Sequence, residues 1–148
     1  MKTLFLLIFL GLGGNIFVPA HAKSKPRGGQ NYYVDAQNGD DRADGKSEKT
    51  AWKSLLRTKE LQLRAGDSLL LRRNSSFNGL LEVSAEGKAG RPVVIGAYGT
   101  GRKPCIQAPD SSLYTVLVRN SDYLTLENLE VVNTGKQRMA NRTGVKVL

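Results

Sequence analysis

The sequence predicts an all-β protein, because short apolar runs follow one another with almost no helical periodicity between them. After residue 66, runs of about three to five strand-forming residues alternate with turns rich in Gly, Asn and Ser. A doubly wound α/β sheet needs a helix between successive strands, so this fold is excluded. An antiparallel sandwich and a solenoid of stacked coils remain.

Two observations favour the solenoid. Apolar positions recur at Leu69, Val93, Val116 and Val145, with steps of 24, 23 and 29 residues. A repeat of about two dozen residues is typical of a chain in which one coil stacks on the next. The second observation is a corner at Asn128, because Asn tolerates a left-handed backbone and its side chain can bond a matching Asn in a neighbouring coil. One apolar face continues on both sides of this corner, through Leu124, Leu126, Leu129 and Val131.

The first element in the chain is a secretory signal peptide, predicted over residues 1–22. Lys2 gives a basic start, residues 4–12 form an apolar run, and a small-residue cleavage site ends at Ala22. A membrane anchor would need about 20 apolar residues, and glycines interrupt this run well before that length. The protein is therefore expected to be secreted or periplasmic, without stable membrane insertion after cleavage.

Cleavage after Ala22 removes His21, the only histidine, and leaves Cys105 as the only thiol. The mature stretch therefore holds no Ser-His-Asp triad, no Cys-His nucleophile and no Cys/His zinc site. Cys105 stands beside the apolar Ile106, which favours a small buried hydrophobic residue over a reactive thiol.

Residues 23–31 are predicted to form a flexible spacer, and residues 32–148 the β domain. This domain begins with a turn-rich loop that carries four aspartates: Asp35, Asp40, Asp41 and Asp44. Their spacing suggests a calcium loop, but no Glu stands at the position that an EF-hand requires. The favoured interpretation is that these carboxylates accept hydrogen bonds from main-chain amides. No metal ligand is assigned.

The one predicted helix follows this loop. Trp52, Leu55 and Leu56 have i, i+3, i+4 spacing, which is typical of a short amphipathic helix. Ser47 or Thr50 is suited to cap its start.

The chain is basic, with 22 Lys and Arg against 13 Asp and Glu and a net charge of +9. The cations are scattered: Arg57, Lys59, Arg64, Arg72, Arg73, Arg91, Arg102, Lys103, Arg119, Lys136, Arg138 and Arg142. Nucleic acid is excluded as a partner, because the chain is exported and lacks basic-aromatic motifs. An anionic polysaccharide is the predicted partner, and ordinary solvated surface charge is the alternative.

Three groups of segments carry a family resemblance: residues 33–35, 38–41, 44–45 and 50–55; residues 65–71 and 77–79; and residues 90–99 and 123–133. In these segments the sequence resembles the N-terminal part of secreted proteins of the pectate-lyase-like superfamily. The resemblance implies a right-handed parallel β-helix, of which residues 32–148 form the first few coils. It also implies that the helix around Trp52 covers the open end of the first coil.

The resemblance implies carbohydrate chemistry outside this stretch. Lyases of the superfamily use a Lys or Arg base, often with calcium, and hydrolases on the same fold use pairs of Asp. The basic charge favours a polysaccharide lyase that acts on a uronate-containing polymer. The alternatives are a glycoside hydrolase and a non-catalytic carbohydrate-binding or cell-surface β-helix protein.

The chain stops within an apolar run at residues 144–148, so it is predicted to be truncated and inactive alone. The alternative is a small complete protein that pairs its open end with another subunit. Arg142 and Lys146 lie nearest to where a cleft would begin, yet neither is assigned a role. The catalytic residues are unknown and are expected beyond Leu148. No cofactor is expected in this stretch, and calcium is a candidate cofactor of the full-length protein.

Overall fold

The structure, a computed structural model, describes residues 28–148, and these form short strands joined by turns with very little helix. The predicted signal peptide (1–22) and residues 23–27 of the predicted spacer lie outside the described residues. The first strand already begins at Asn31, within the range predicted for the spacer. None of the helices formed by residues 28–148 has the length and apolar character needed to cross a membrane.

The described residues contain eleven strands: β1 (Asn31–Val34), β2 (Gln62–Arg64), β3 (Ser68–Arg72), β4 (Ser76–Asn78), β5 (Leu81–Glu86), β6 (Val93–Tyr98), β7 (Cys105–Gln107), β8 (Val116–Asp122), β9 (Leu124–Leu126), β10 (Glu130–Val132) and β11 (Val145–Val147). Two 3-10 helices, Glu48–Thr50 and Leu55–Glu60, lie between β1 and β2.

The strands form three sheets, and every pairing between them is parallel. Sheet A has the order β1-β3-β6-β9, sheet B the order β2-β5-β8-β11, and sheet C the order β4-β7-β10. From β2 onward the chain visits sheets B, A and C in unbroken rotation. Each visit adds a strand beside the previous strand of the same sheet. The all-β class is thus confirmed, and the antiparallel sandwich is ruled out.

The predicted repeat is correct in its last step and two residues out of register in its first, since Leu69 of β3 lies opposite Ile95, and not Val93, of the neighbouring strand β6. Val145 pairs with Val116 in sheet B, as the spacing implied. Val93 pairs with Leu124 in sheet A, however, while Val116 pairs with Leu81 in sheet B. The step from Val93 to Val116 therefore joins two different sheets. Similar apolar residues line all three sheets, so spacing alone did not distinguish them.

Alternation along the strands creates one core between the three sheets. In β5, Leu81, Val83 and Ala85 point inward and are buried, while the residues between them face outward. The buried cluster draws on all three sheets: Val34, Leu63, Leu69, Leu71, Phe77, Leu81, Val83, Ala85, Val93, Ile95, Ile106, Val116 and Val118, with Trp52 and Leu55 from the N-terminal segment.

The predicted amphipathic helix is wrong, although two of its three apolar residues join the core. Trp52 is extended between the two 3-10 helices, since its amide donates to the Tyr33 carbonyl (2.9 Å) and its carbonyl accepts from the Asp35 amide (2.7 Å). These bonds to the end of β1 use groups that an α-helix would need. Trp52 and Leu55 join the core, whereas Leu56 is 68% exposed. Two of the three predicted residues are therefore buried in the core.

The corner at Asn128 has the predicted left-handed backbone, with φ 55°. The predicted bonding between matching Asn residues takes a different form. Asn74, at the corner between β3 and β4, also has positive φ (60°). Its Nδ2 donates to the Thr100 carbonyl (3.2 Å), and its Oδ1 accepts from the Arg102 amide (2.9 Å). The Asn side chain thus joins two corners through main-chain groups.

Candidate functional site

The N-terminal loop places a buried carboxylate beside sheet A. Asp35 is 2% exposed, and its Oδ1 accepts from the amides of Gln37 (2.9 Å) and Asn38 (3.2 Å). Its Oδ2 accepts from Asn38 Nδ2 (3.3 Å) and from Arg72 Nη1 (2.6 Å). These bonds satisfy the carboxylate, turn the chain after β1 and tie the loop to the end of β3.

The other aspartates of the loop also bind main-chain amides. Each has a nearby partner: Asp40 accepts from Arg42, Asp44 from Lys46, and Asp41 from Lys53 and Ser54. This is the arrangement that the hydrogen-bonding interpretation predicts. Within residues 28–148, no three His, Cys, Asp or Glu side chains are placed to hold a metal ion. Calcium in the full-length protein stays a prediction.

The Asp35–Arg72 pair is charged at neutral pH. Burial by itself would raise the pKa of Asp35, but hydrogen bonds from the Gln37 amide, the Arg72 guanidinium and Asn38 outweigh it. The pKa of Asp35 therefore lies below its ordinary value of 3.8. The same carboxylate raises the pKa of Arg72.

An open cavity of about 290 Å³ lies next to this ion pair. The N-terminal loop, the end of β3 and the end of β6 all contribute to its wall, and the side chains that matter most are Gln37, Glu48, Arg72, Arg73, Tyr98 and Thr100. Arg72 and Tyr98 are register partners in sheet A, which fixes them side by side at the carboxyl ends of their strands. We call this space the corner cavity.

Tyr98 gives the corner cavity its one aromatic side chain. Its ring makes an edge contact with Tyr33, with centroids 5.2 Å apart and an interplanar angle of 88°. The hydroxyl oxygen is buried and has no hydrogen-bond partner in the described part of the chain. Burial, with a smaller contribution from the nearby Asp35 charge, raises the pKa of Tyr98 to about 12. The group is therefore a neutral hydroxyl at every physiological pH.

A smaller cavity of about 210 Å³ lies along sheet C, where Ser75, Arg102, Lys103, Cys105 and Glu130 form part of its wall. Cys105 is half-buried, and burial followed by the Glu130 charge raises the pKa of its thiol. The thiol is therefore protonated at neutral pH, in keeping with the interpretation of Cys105 as a small hydrophobic residue.

Several of the predicted basic residues are engaged in local contacts. Four of them form ion pairs: Arg57 with Glu60, Lys59 with Glu82, Arg72 with Asp35, and Lys136 with Asp110. Arg73 and Arg91 donate to the carbonyls of Gly101 and Ala65. These contacts account for part of the basic charge without a ligand, and an anionic partner stays a prediction.

Arg142 and Lys146 occupy different settings. Arg142 donates to the Asp110 carbonyl (2.5 Å) and to Asn133 Oδ1 (3.4 Å), so it joins two loops. Lys146 lies in β11 and pairs in register with Leu117 of sheet B. The structure gives Arg142 a structural role.

The sequence did not reveal the corner cavity. Its members Gln37, Glu48, Arg72 and Tyr98 come from three separate segments of the chain. One feature of the sequence could have indicated the cavity. Two similar apolar runs each end in a large polar side chain, the first at Arg72 and the second at Tyr98. Alignment of those two strand ends would have placed the two residues side by side.

Comparison with known proteins identifies carbohydrate-active glycoside hydrolases as the similar class. The crystal structure of the selenomethionine derivative of the GH136 lacto-N-biosidase from Eubacterium ramulus matches with a TM-score of 0.71 and 34% identity, over 80% of this chain and 24% of that chain. The native crystal structure of that enzyme matches with a TM-score of 0.65 and 35% identity, over 72% of this chain and 21% of that one.

A curated relative belongs to the same class. A lacto-N-biosidase from Bifidobacterium longum subsp. longum is 32% identical over 132 residues, which cover 71% of this chain and 8% of the relative. The chain thus spans less than a quarter of the length of each of these proteins. It matches no protein-family profile.

These similarities correct the predicted family. The proteins that resemble this chain are glycoside hydrolases of the GH136 type, so the assignment to the pectate-lyase-like superfamily is wrong. The preferred polysaccharide-lyase activity finds no support in these relatives, and the hydrolase alternative fits them better. The short signatures behind the prediction, such as the segment around Asp67, describe turns and strands. Asp67 is buried and accepts from the amides of Gln30 (2.8 Å) and Arg64 (3.0 Å), which is a structural role.

Proposed function

We propose that residues 32–148 form successive coils of a right-handed parallel β-helix within a glycoside hydrolase. The unbroken rotation through sheets B, A and C and the parallel pairing of every strand support the coiled arrangement. The right-handed sense is the one that nearly all parallel crossover connections adopt. Export through the signal peptide at residues 1–22 would place the protein outside the cytoplasm.

The proposed reaction of the full-length protein is hydrolysis of a glycan that carries a lacto-N-biosyl unit. The observation that carries this proposal is the match to the Eubacterium ramulus lacto-N-biosidase, with 34% identity and a TM-score of 0.71. Identity at this level over most of the chain is greater than a shared fold alone requires. The substrate is proposed by this similarity, and the anionic polymer expected from charge is replaced by a glycan of the lacto-N-biose type.

Glycoside hydrolysis requires two carboxyl groups, one that acts as a general acid and one that acts as a base or nucleophile. An acid needs a raised pKa, and Asp35 has a lowered one. Asp35 and Asp67 are both buried and bonded to main-chain amides. We therefore assign neither to the reaction, and we propose that other parts of the full-length protein supply the catalytic carboxylates. Residues 28–148 would supply the scaffold and part of the glycan-binding surface.

A chromogenic lacto-N-bioside tests this function in the full-length protein. The expected result is release of the chromophore together with the intact disaccharide. The matched control is the corresponding chromogenic β-galactoside, which a disaccharide-releasing enzyme leaves unchanged. Inactivity on the lacto-N-bioside, combined with formation of unsaturated products from a uronate polymer, would contradict the proposal.

A further inference from the structure

We propose that the ring of Tyr123 is a stacking platform for one sugar unit of a neutral glycan. The inference rests on the proposed function for the choice of a glycan as ligand. Tyr123 is the single residue between β8 and β9, where the chain passes from sheet B to sheet A. Its side chain is 61% exposed, so a ligand can reach the ring without any movement of the protein around it.

The backbone of Tyr123 is strained. Its φ is 46°, which is unfavourable for a residue with a large side chain. Within residues 28–148, the other non-glycine residues with positive φ are all asparagines: Asn74, Asn120, Asn128 and Asn141. Since an asparagine would form this turn with less strain, the turn does not explain the tyrosine. Residues held in strained conformations are concentrated at active sites and ligand clamps, which points to a binding role for the ring.

Contacts with neighbouring segments fix the turn that carries this ring. The Val93 amide donates to the Tyr123 carbonyl (2.9 Å), and the Gly87 amide donates to the Asp122 carbonyl (2.9 Å). A Cβ at position 87 would collide with the main chain of Tyr123, so the connection between β5 and β6 needs a glycine there. The aromatic ring is thus presented to solvent from a rigid backbone. Little conformational entropy of the protein would be lost when a ligand binds.

A row of charged side chains ends at the residue before Tyr123. Arg64 of β2 is the register partner of Glu86 in β5, and Glu86 is the register partner of Asp122 in β8. All three are exposed. Their side chains make no hydrogen bond or ion pair within residues 28–148, so their donors and acceptors are free for a ligand.

The combination of an exposed ring and free polar groups matches the chemistry of a neutral sugar. One face of a galactopyranose ring carries C–H groups that can lie on an aromatic ring, and its rim carries hydroxyl groups that donate and accept hydrogen bonds. Two carboxylates, of Glu86 and Asp122, stand against the single guanidinium of Arg64. A uronate would therefore be repelled, whereas a neutral sugar would not.

Saturation-transfer NMR with methyl β-galactopyranoside tests the inference. The strongest transfer from the protein is expected at H3, H4 and H5, which share the face of the sugar that would lie on the Tyr123 ring. The methyl glycoside of galacturonate has the same ring with a carboxylate at C6 and is the matched anionic probe. We expect it to bind more weakly than the neutral sugar. Tighter binding of the galacturonate, equal transfer to all ring protons, or no transfer to either sugar overturns the proposal.

Tyr123→Asn separates binding from folding. Asn adopts the left-handed backbone with less strain, so the Tm of this variant is expected to rise by a few degrees. Its affinity for the sugar is expected to fall by about three- to tenfold, the effect of one lost aromatic contact. A lower Tm would show that the ring serves packing, and an unchanged affinity would refute the assignment.

Two further variants are controls for this result. Tyr123→Phe keeps the ring and is expected to keep the affinity, so a loss as large as that of Tyr123→Asn would contradict stacking. Leu56→Asn removes an apolar side chain of similar exposure (68%) from the 3-10 helix Leu55–Glu60 and is expected to leave sugar binding unchanged. An equal loss in Leu56→Asn would show that the effect is not specific to Tyr123.

The binding assay and the hydrolysis assay fail separately. If the full-length protein releases lacto-N-biose but Tyr123→Asn leaves sugar binding unchanged, the assignment of Tyr123 is wrong and the proposed function stands. If the sugar binds and Tyr123→Asn weakens it, but no lacto-N-bioside is hydrolysed, the assignment of Tyr123 stands and the proposed reaction is wrong.

Discussion

The guanidinium of Arg72, at the end of β3, lies 2.6 Å from the buried carboxylate of Asp35, in the loop after β1. This pair joins residues that are far apart in the chain and closes the N-terminal loop onto sheet A. The Asp35 side chain is 2% exposed and the Arg72 side chain is 44% exposed. Water therefore screens the charge of Arg72 but not that of Asp35. The contact therefore contributes to folding and also shapes one wall of the corner cavity.

Asp35→Asn is expected to lower the free energy of unfolding by about 2 kcal/mol at pH 7, because it removes charge-assisted hydrogen bonds from a buried group. Urea unfolding followed by tryptophan fluorescence measures the loss. Asp110→Asn is the matched control, since its ion pair with Lys136 spans 3.7 Å at the surface. Its expected cost is below about 1 kcal/mol. Equal costs for the two variants would contradict a special role for Asp35.

The cost of Asp35→Asn is also expected to depend on pH. The pKa of Asp35 is lowered in the folded protein, so its contribution is fully present above the ordinary value of 3.8. It is lost as the pH falls through the lower folded-state pKa. The stability difference between the unmodified protein and the variant should thus shrink in strong acid. A difference that stays constant from neutral pH into this range would show that the carboxylate charge is not involved.

Trp52 is buried in the core beside the N-terminal strand β1. Its ring stacks on Tyr32 at 5.6 Å, and its Nε1 donates to the Ala43 carbonyl (2.9 Å). Trp52→Ala is expected to cost about 3–5 kcal/mol, the usual cost of truncating a buried aromatic side chain. Leu56→Ala, at a site that is 68% exposed, is expected to cost no more than about 0.5 kcal/mol. Thermal unfolding of both variants checks the pair, and similar losses would restore the amphipathic-helix interpretation.

Glycine is required at position 45 for two reasons, and a second glycine substitution can separate their contributions to stability. Its φ is 68°, and a Cβ at this position would collide with the indole ring of Trp52. Gly90 has a similar φ of 72° and open space around it. Gly90→Ala is expected to cost about 1–2 kcal/mol from the left-handed backbone alone. Gly45→Ala should cost about 1–3 kcal/mol more, from overpacking, as measured by chemical unfolding. Equal costs would exclude the predicted collision.

The side chain of Asn74 is expected to hold the turn after β3 to the turn after β6. Asn74→Gly keeps a residue suited to positive φ but loses the bonds to Thr100 and Arg102, at a cost of about 1–3 kcal/mol. Asn128→Gly, at a corner with φ 55°, is the control, and the structure gives its side chain no comparable bond. The Asn128→Gly substitution is expected to leave the free energy of unfolding nearly unchanged. Hydrogen exchange at the Arg102 amide provides a local readout, and unchanged protection in Asn74→Gly would contradict the account.

Local features of the fold could be predicted from the sequence, and pairings between distant segments could not. The left-handed corner at Asn128 depends on one residue and its neighbours, so the prediction is confirmed. The prediction of a helix around Trp52 was wrong because the backbone of Trp52 is hydrogen-bonded to Tyr33 and Asp35. The spacing of apolar residues gives no information about such bonds to a distant segment.

The corner cavity and the register of the apolar repeat also depend on pairings between distant segments. Arg72 and Tyr98 meet only after β3 and β6 are paired, and sequence spacing had aligned Val93 with a strand of the wrong sheet. The family was wrong for a related reason, because the signatures used are turn and strand signals that different parallel-stranded proteins can share.

Hydrolysis in water enriched in ¹⁸O tests the central claim most directly. The full-length protein would be incubated with a glycan that ends in a lacto-N-biosyl unit, and the released sugar analysed at once by mass spectrometry. Free lacto-N-biose in the same water controls for exchange without enzyme. The account predicts a released disaccharide that carries ¹⁸O at its new reducing end, since hydrolysis adds water across the glycosidic bond. An unlabelled, unsaturated product formed by elimination, or an intact substrate, would contradict it.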